Sequence, residues 1–351
     1  MAEALRRAPR RAGRSRRPGG AVIACAALVA CTRPAEPGLE IEVLPSSNLI
    51  YKIAVAPDLE NWNFGLSVRP PPPTARPLRL DLRFLSAGAP VVETELSDRA
   101  LASLQAKLSP DEQRWENLDF NYPAAMGIDT CVIALGDGKR TLARRIVPVY
   151  RYPQQGRYRL PVRGCWFVAS GHDLGVEHRR WYNQSHFGWD LVRLDDGNGL
   201  RPGKTRLGQY RAFGELVVAP ASGTVVLGQG DRPDQAPGAV GAIDDVNYLL
   251  IDHGHGELSK LAHLQQGSLL VAPGQLVVAG QPLARVGNSG QSDAPHLHFH
   301  FQSVSFDADR VVVDERPLPI ELNDYFVTSN RGVHVAVDRG RPRRGEFVCS
   351  E

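Results

Sequence analysis

The sequence predicts a mainly β protein built of two β-rich sections, and three observations predict it. Leu78-Arg79-Leu80-Asp81-Leu82-Arg83-Phe84 alternates apolar and polar residues strictly, the period of a half-buried strand. Thr130–Leu135, Gly136-Asp137-Gly138 and Thr141–Val149 read as a hairpin around a glycine turn. From residue 215 onward short apolar runs recur between glycines, too short and too β-branched for helices.

Taken in order, the chain opens with an arginine block. Seven arginines and one acid, Glu3, fall within residues 1–30. Without them the 41 basic and 38 acidic side chains become 34 and 37, so the formal charge of +3 turns into −3. Nothing in the remainder suggests a general nucleic-acid binder, because its 34 basic side chains are outnumbered by 37 acidic ones and leave no net positive charge for phosphates. The apolar stretch Gly19–Ala30 is shorter than the roughly 20 residues a bilayer needs. It has instead the form of an export signal. Leu28-Val29-Ala30-Cys31 resembles a bacterial lipobox, which implies cleavage before Cys31, acylation of its thiol, and an exported lipoprotein held at a membrane. The protein would then face the periplasm or cell-wall space. Cys131, Cys165 and Cys349 remain for that oxidising compartment, enough for one disulfide and one spare thiol; the spacing does not choose the pair. No two of them have the close spacing of a cysteine zinc site.

The expected organisation is a signal peptide at 1–30, a tether at 31–45, a β-sandwich-like accessory domain at 46–155, a second domain at 156–330 and a tail at 331–351. Within the accessory section Ser97 is expected to cap a short helix bearing Leu101, Leu104 and Leu108, stopped by Ser109-Pro110. Pro70–Pro73 must be a loop or an edge, since proline cannot donate to a ladder. The second section carries candidate strands at 215–218, 224–227, 248–252, 258–264, 276–278, 283–286 and 296–302. Residues 228–245 are rich in Gly, Pro and Asp and have no hydrophobic period, as befits a functional loop such as a groove wall.

The chemistry concentrates in four histidines and one carboxylate. His296 and His298 lie two apart on an apolar run, so a strand projects both imidazoles from one face. His186 and Asp190 lie four apart; an extended segment would place them together and send Phe187, Trp189 and Leu191 to the core. His263 stands between these motifs in the order of the chain. A catalytic zinc takes three protein ligands and keeps a fourth position for water, which this donor set could provide.

The order HFGWD, LAHL, PHLHF, with VVAPASGTVV and VAPGQLVVAGQPLARVGNSGQS around it, resembles the lysostaphin/LytM-type zinc endopeptidases, peptidase family M-twenty-three. The resemblance covers roughly residues 160–305. It implies an antiparallel β-sheet peptidase domain with an open groove, one zinc ion held by His186, Asp190 and His298, and a non-ligand catalytic pair, His263 and His296. It also implies hydrolysis of peptidoglycan peptides by a zinc-activated water. No HExxH motif supplies a carboxylate base, so imidazoles must move the protons. Which histidine is the base stays open. His300 departs from the family, which commonly carries an acid there; a supporting or groove-lining role is expected. His172, Asp173 and His178 are expected at the surface or in caps, and His253 and His255 in a hairpin turn. The alternative is a catalytically silent LytM-like module that binds the wall or activates an amidase. The D-Ala-D-Ala carboxypeptidase type of zinc enzyme uses a wider His-to-Asp spacing.

Overall fold

The computed structural model describes residues 38–46, 49–72, 77–105, 111–172, 185–194, 205–308, 311–328 and 332–350. Residues 38–351 belong to one compact unit. Its strands are overwhelmingly antiparallel, and none of the described helices is long and apolar enough to cross a membrane.

The first section contains β1 (Glu40–Leu44), β2 (Ile50–Ala56), β3 (Leu59–Arg69), β4 (Arg79–Ser86), β5 (Ala89–Ser97), helix α1 (Asp98–Leu104), β6 (Gln113–Pro123), β7 (Thr130–Gly136) and β8 (Thr141–Tyr150). Strand β3 is flanked by β6 on one side and by β1 and β2 in succession on the other. A second ladder runs β8-β7-β4-β5, and a short parallel pairing of β2 with β8 joins the two. Their inner faces share a core in which the Trp62 and Phe84 rings meet edge-on at 5.1 Å. The alternation at 78–84 is realised in full: Leu80, Leu82 and Phe84 are wholly buried. Residues 40–44, read as part of the tether, are a strand because Ile41 and Val43 enter that core. Ser97 stands at the start of α1 but makes no side-chain cap bond; Asp98 instead accepts the Leu78 N–H at 2.9 Å. Leu108 lies outside the described residues.

The second section contains β9 (Gly164–Ser170), β10 (Trp189–Val192), β11 (Leu216–Val218), β12 (Gly223–Gln229), β13 (Tyr248–Asp252), β14 (Leu258–Ala262), β15 (Leu276–Val277), β16 (Pro282–Arg285) and β17 (Leu297–Phe306). β18 (Val312–Leu318), β19 (Leu322–Thr328), β20 (His334–Gly340) and β21 (Phe347–Ser350) complete it. One sheet runs β15-β12-β13-β14-β17-β10-β9-β21-β19-β20, with β18 also on β17, while β11 and β16 form a separate pair. The stretch read as a tail from 331 therefore holds two sheet strands. Its Cys349 bonds to Cys165, directly opposite in the β9–β21 register, leaving Cys131 as a buried thiol.

The connection between the sections is tied down by one buried carboxylate. Glu257 is fully buried and accepts the Gln155 and Gly156 N–H groups, each at 2.8 Å, and the Tyr158 hydroxyl. An anion inside a protein needs such donors to offset its lost hydration.

Candidate functional site

The site is built on β17. Leu297, Phe299 and Phe301 turn one face of this strand into the core and are wholly buried. The period of two sends His298, His300 and Gln302 to the other face. Trp189 of β10 stacks on Phe299 with centroids 4.8 Å apart, and the same register sets Asp190 directly opposite His298. Cross-strand partners on one face come within side-chain reach. Here Asp190 Oδ1 lies 2.9 Å from His298 Nδ1 and 3.5 Å from His296 Nε2.

His186 lies elsewhere on this segment than an extended chain would put it. Gly188 N–H donates to Ser185 O at 2.8 Å, so residues 185–188 form a tight turn and the strand begins only at Trp189. His186 is buried, and its Nε2 lies 3.2 Å from the backbone oxygen of Asn63 in β3. Asp190 and His298 thus face one another directly, while the His186 ring is engaged by the first section. Among the described residues no group of three or more His, Cys, Asp or Glu stands ready to hold a metal. The Asp190–His298 corner does turn a carboxylate oxygen and an imidazole nitrogen, both donor types that divalent cations take, towards each other.

The remaining pair lies beside that corner, with the His263 and His296 ring centroids 4.6 Å apart. Strand β14 ends one residue before His263, whose left-handed φ of 59° turns the chain aside. That turn carries its Nδ1 to within 2.8 Å of Ser289 O. A carbonyl only accepts, so Nδ1 holds the proton and Nε2 keeps a lone pair. Gly290 makes the arrangement possible: its φ is 72°, and a Cβ there would meet the Val246 backbone at about 2.9 Å. His296 likewise donates from Nδ1 to Ala294 O at 2.9 Å. The two imidazoles are driven apart electrostatically. Burial, reinforced by the charges of His296 and His298, pushes His263 well below the ordinary histidine range. Burial also opposes charge on His296, but Asp190, the Ala294 carbonyl and Asp293 outweigh it and move that group upward.

These residues line a groove of about 920 Å³ whose walls include Val240, Ile243, Tyr248 and Lys260. Val240 and Ile243 come from the glycine- and proline-rich stretch expected to form a groove wall. His172 differs from its surface expectation: it is buried, stacks on Trp189 at 4.0 Å, and places its Nε2 2.6 Å from Phe187 O. Asp173 and His178 lie outside the described residues. His253 and His255 flank a hairpin turn as expected, His253 bonding Ser222 O and Ser259 Oγ. Sequence reasoning missed Gln302 and Glu315, which continue a hydrogen-bonded line from His298 and His300. The alternation of His298, His300 and Gln302 was the available signal; Glu315 had none, because its approach depends on the β17–β18 register.

The family model described as Peptidase family M23 matches residues 209–311. That span holds His263, His296 and His298 and begins after His186 and Asp190. An "Uncharacterized metalloprotease" of Haemophilus influenzae is 35% identical over 88 residues, 25% of this chain and 16% of that protein. "Peptidoglycan DD-endopeptidase ShyB" of Vibrio cholerae is 43% identical over 53 residues, 15% of this chain and 12% of that protein. The chain therefore spans about a sixth or less of the length of these curated relatives. Among solved structures, the catalytic domain of the antimicrobial peptidase lysostaphin from Staphylococcus simulans is 22% identical, covering 43% of this chain and 86% of that one, with a TM-score of 0.25.

Proposed function

We propose that this chain, which carries a Peptidase family M23 domain at residues 209–311, is a zinc-dependent endopeptidase acting on bacterial cell-wall peptidoglycan. One observation carries the reading: Asp190 Oδ1 and His298 Nδ1 meet at 2.9 Å beside the His263–His296 pair, in an open groove. Asp190 and His298 would hold the metal, joined by His186 once its ring leaves the Asn63 carbonyl. When bound, zinc polarises a scissile carbonyl and lowers the pKa of water. His263, kept neutral by burial and with its Nδ1–H committed to Ser289, offers Nε2 as proton acceptor for the attacking water. His296 faces the same corner with its Nδ1–H committed to Ala294, and its Nε2 can carry a proton to the developing oxyanion or the leaving amine. The relative named as a peptidoglycan DD-endopeptidase supports a wall peptide as substrate.

Export and anchoring complete the proposal. Cleavage before Cys31 and acylation of its thiol would hold the enzyme at a membrane facing its polymeric substrate. Incorporation of labelled palmitate, lost in Cys31→Ala, is the expected result.

A second reading is favoured by the engagement of His186 with Asn63: a silent module that binds the wall or activates an amidase. Metal analysis beside digestion of purified sacculi separates the two. The enzyme should hold one zinc per chain and release muropeptide fragments. His298→Ala should lose both metal and release, whereas His263→Ala should keep the metal and lose release. Normal digestion by His298→Ala would defeat the assignment, and wall binding without zinc or fragments would establish the silent module.

A further inference from the structure

Three side chains behind His298 form a line that the catalytic reading does not use. His298 Nε2 lies 2.9 Å from His300 Nδ1, His300 Nε2 lies 2.8 Å from Gln302 Oε1, and Gln302 Nε2 lies 3.1 Å from Glu315 Oε1. His300 is 1% exposed and Gln302 is fully buried, so each needs its polar partners. Alternate positions on a strand stand about 6–7 Å apart, a gap that a ring reaching along the sheet can close.

We propose that His300 and Gln302, anchored by Glu315, are positioning residues that set the tautomer and orientation of His298 towards the metal. The inference rests on the reading of His298 as a ligand. The direction of every bond follows from the far end. A carboxylate only accepts, so the Gln302 amide nitrogen must face Glu315 and its oxygen must face His300. An amide oxygen also only accepts, so the His300 proton sits on Nε2. A neutral imidazole has one N–H, which leaves His300 Nδ1 as an acceptor for His298 Nε2–H. His298 Nδ1 then presents a lone pair to Asp190 Oδ1, another acceptor, 2.9 Å away. Two acceptors at that distance require a cation between them, a proton or a metal ion. Partners of this kind behind a ligating histidine are typically worth about 10–100-fold in metal affinity.

The alternative is that the line only satisfies buried polar atoms, and the test separates the two. Zinc affinity of the full-length chain is measured by competition with a chromophoric chelator for wild type, His298→Ala, His300→Leu and His300→Gln. Imidazole ¹⁵N shifts are recorded on the metal-free wild type. His300→Leu removes the acceptor behind His298 and should weaken zinc about 10–100-fold. His300→Gln can accept from His298 Nε2–H and donate to Gln302 Oε1, so it should return to within about threefold of wild type. The nitrogen shifts should show His300 protonated at Nε2 and unprotonated at Nδ1. A folded His300→Leu chain with wild-type affinity, failure of His300→Gln to recover it, or a proton on His300 Nδ1 would each overturn the relay. If wild type binds zinc and His298→Ala does not, such a result removes only the relay. If wild type binds no zinc, or His298→Ala keeps it, the ligand reading falls and the relay with it.

Discussion

Breaking the Cys165–Cys349 bond should cost this protein a large share of its stability. The two cysteines are 184 positions apart. In the chain-entropy model a loop of that size contributes about 5 kcal/mol at 25 °C, and typical measured values are 2–4 kcal/mol. Whole domains are stable by only about 5–15 kcal/mol, so either figure matters. The bond pins β21 between β9 and β19, and β9 is the neighbour of the strand bearing Asp190. Cys349→Ala should therefore lose roughly 2–5 kcal/mol, with a higher urea slope because the unfolded chain expands. Tryptophan fluorescence is the probe, since Trp166 and Trp189 are buried in β9 and β10. Alkylation gives the control. Burial pushes the Cys131 thiol up, so in reduced, folded protein the exposed Cys165 should label while Cys131 reacts only on unfolding. A loss below about 1 kcal/mol would show that the crosslink does not restrict the unfolded ensemble as argued.

Three further outcomes are expected. Partial burial raises Glu112, but the Ser67 hydroxyl with Arg114 and Arg69 more than reverses this, taking it from 4.5 to about 2. A lowered folded pKa gives stability that is complete above about pH 4.5 and lost as pH falls through about 2, so Glu112→Gln should flatten acid unfolding followed by circular dichroism over that window. Gly290→Ala should cost roughly 1–3 kcal/mol by forcing a side chain into a left-handed position, and should lower turnover while zinc is retained, because the Ser289 carbonyl moves off His263. Glu257→Ala should cost roughly 2–4 kcal/mol in urea unfolding, since it strands the Tyr158 hydroxyl and two backbone N–H groups; wild-type stability would refute its role in tying the connection down.

Much of this was legible from residue spacing. The period of two at 78–84 and at 296–302 identified both strands and put His296 and His298 on one side, because side-chain direction in a strand is a local property. What needed pairing partners was not legible. Spacing did not bring Asp190 to His298, a meeting that only the family resemblance implied, and it left the partner of Cys349 open. The β10–β17 and β9–β21 registers make both meetings, and neither is written near the residues concerned. Strand β3 went unread although Trp62, Phe64, Leu66 and Val68 alternate with Asn61, Asn63, Gly65 and Ser67; the period was present, and burial of both faces is what the sequence did not show. Strand β20 hid for the opposite reason: HVAVDRG is largely exposed and offers no core face. The turn at 185–188 escaped notice because HFGWD satisfies an extended pattern as well as a bent one.

The division of labour along β17 also protects against misfolding. A slip of one position would drive His298, His300 and Gln302 into the space shaped for Leu297, Phe299 and Phe301, and would strand three large apolar groups in water. Burying those polar groups without partners is costly, as is exposing the aromatics. An offset chain cannot become a long-lived competitor of the native one. The polar side chains of this strand thereby act as a ruler during assembly, and a variant that softens them to aliphatic side chains would blur strand alignment.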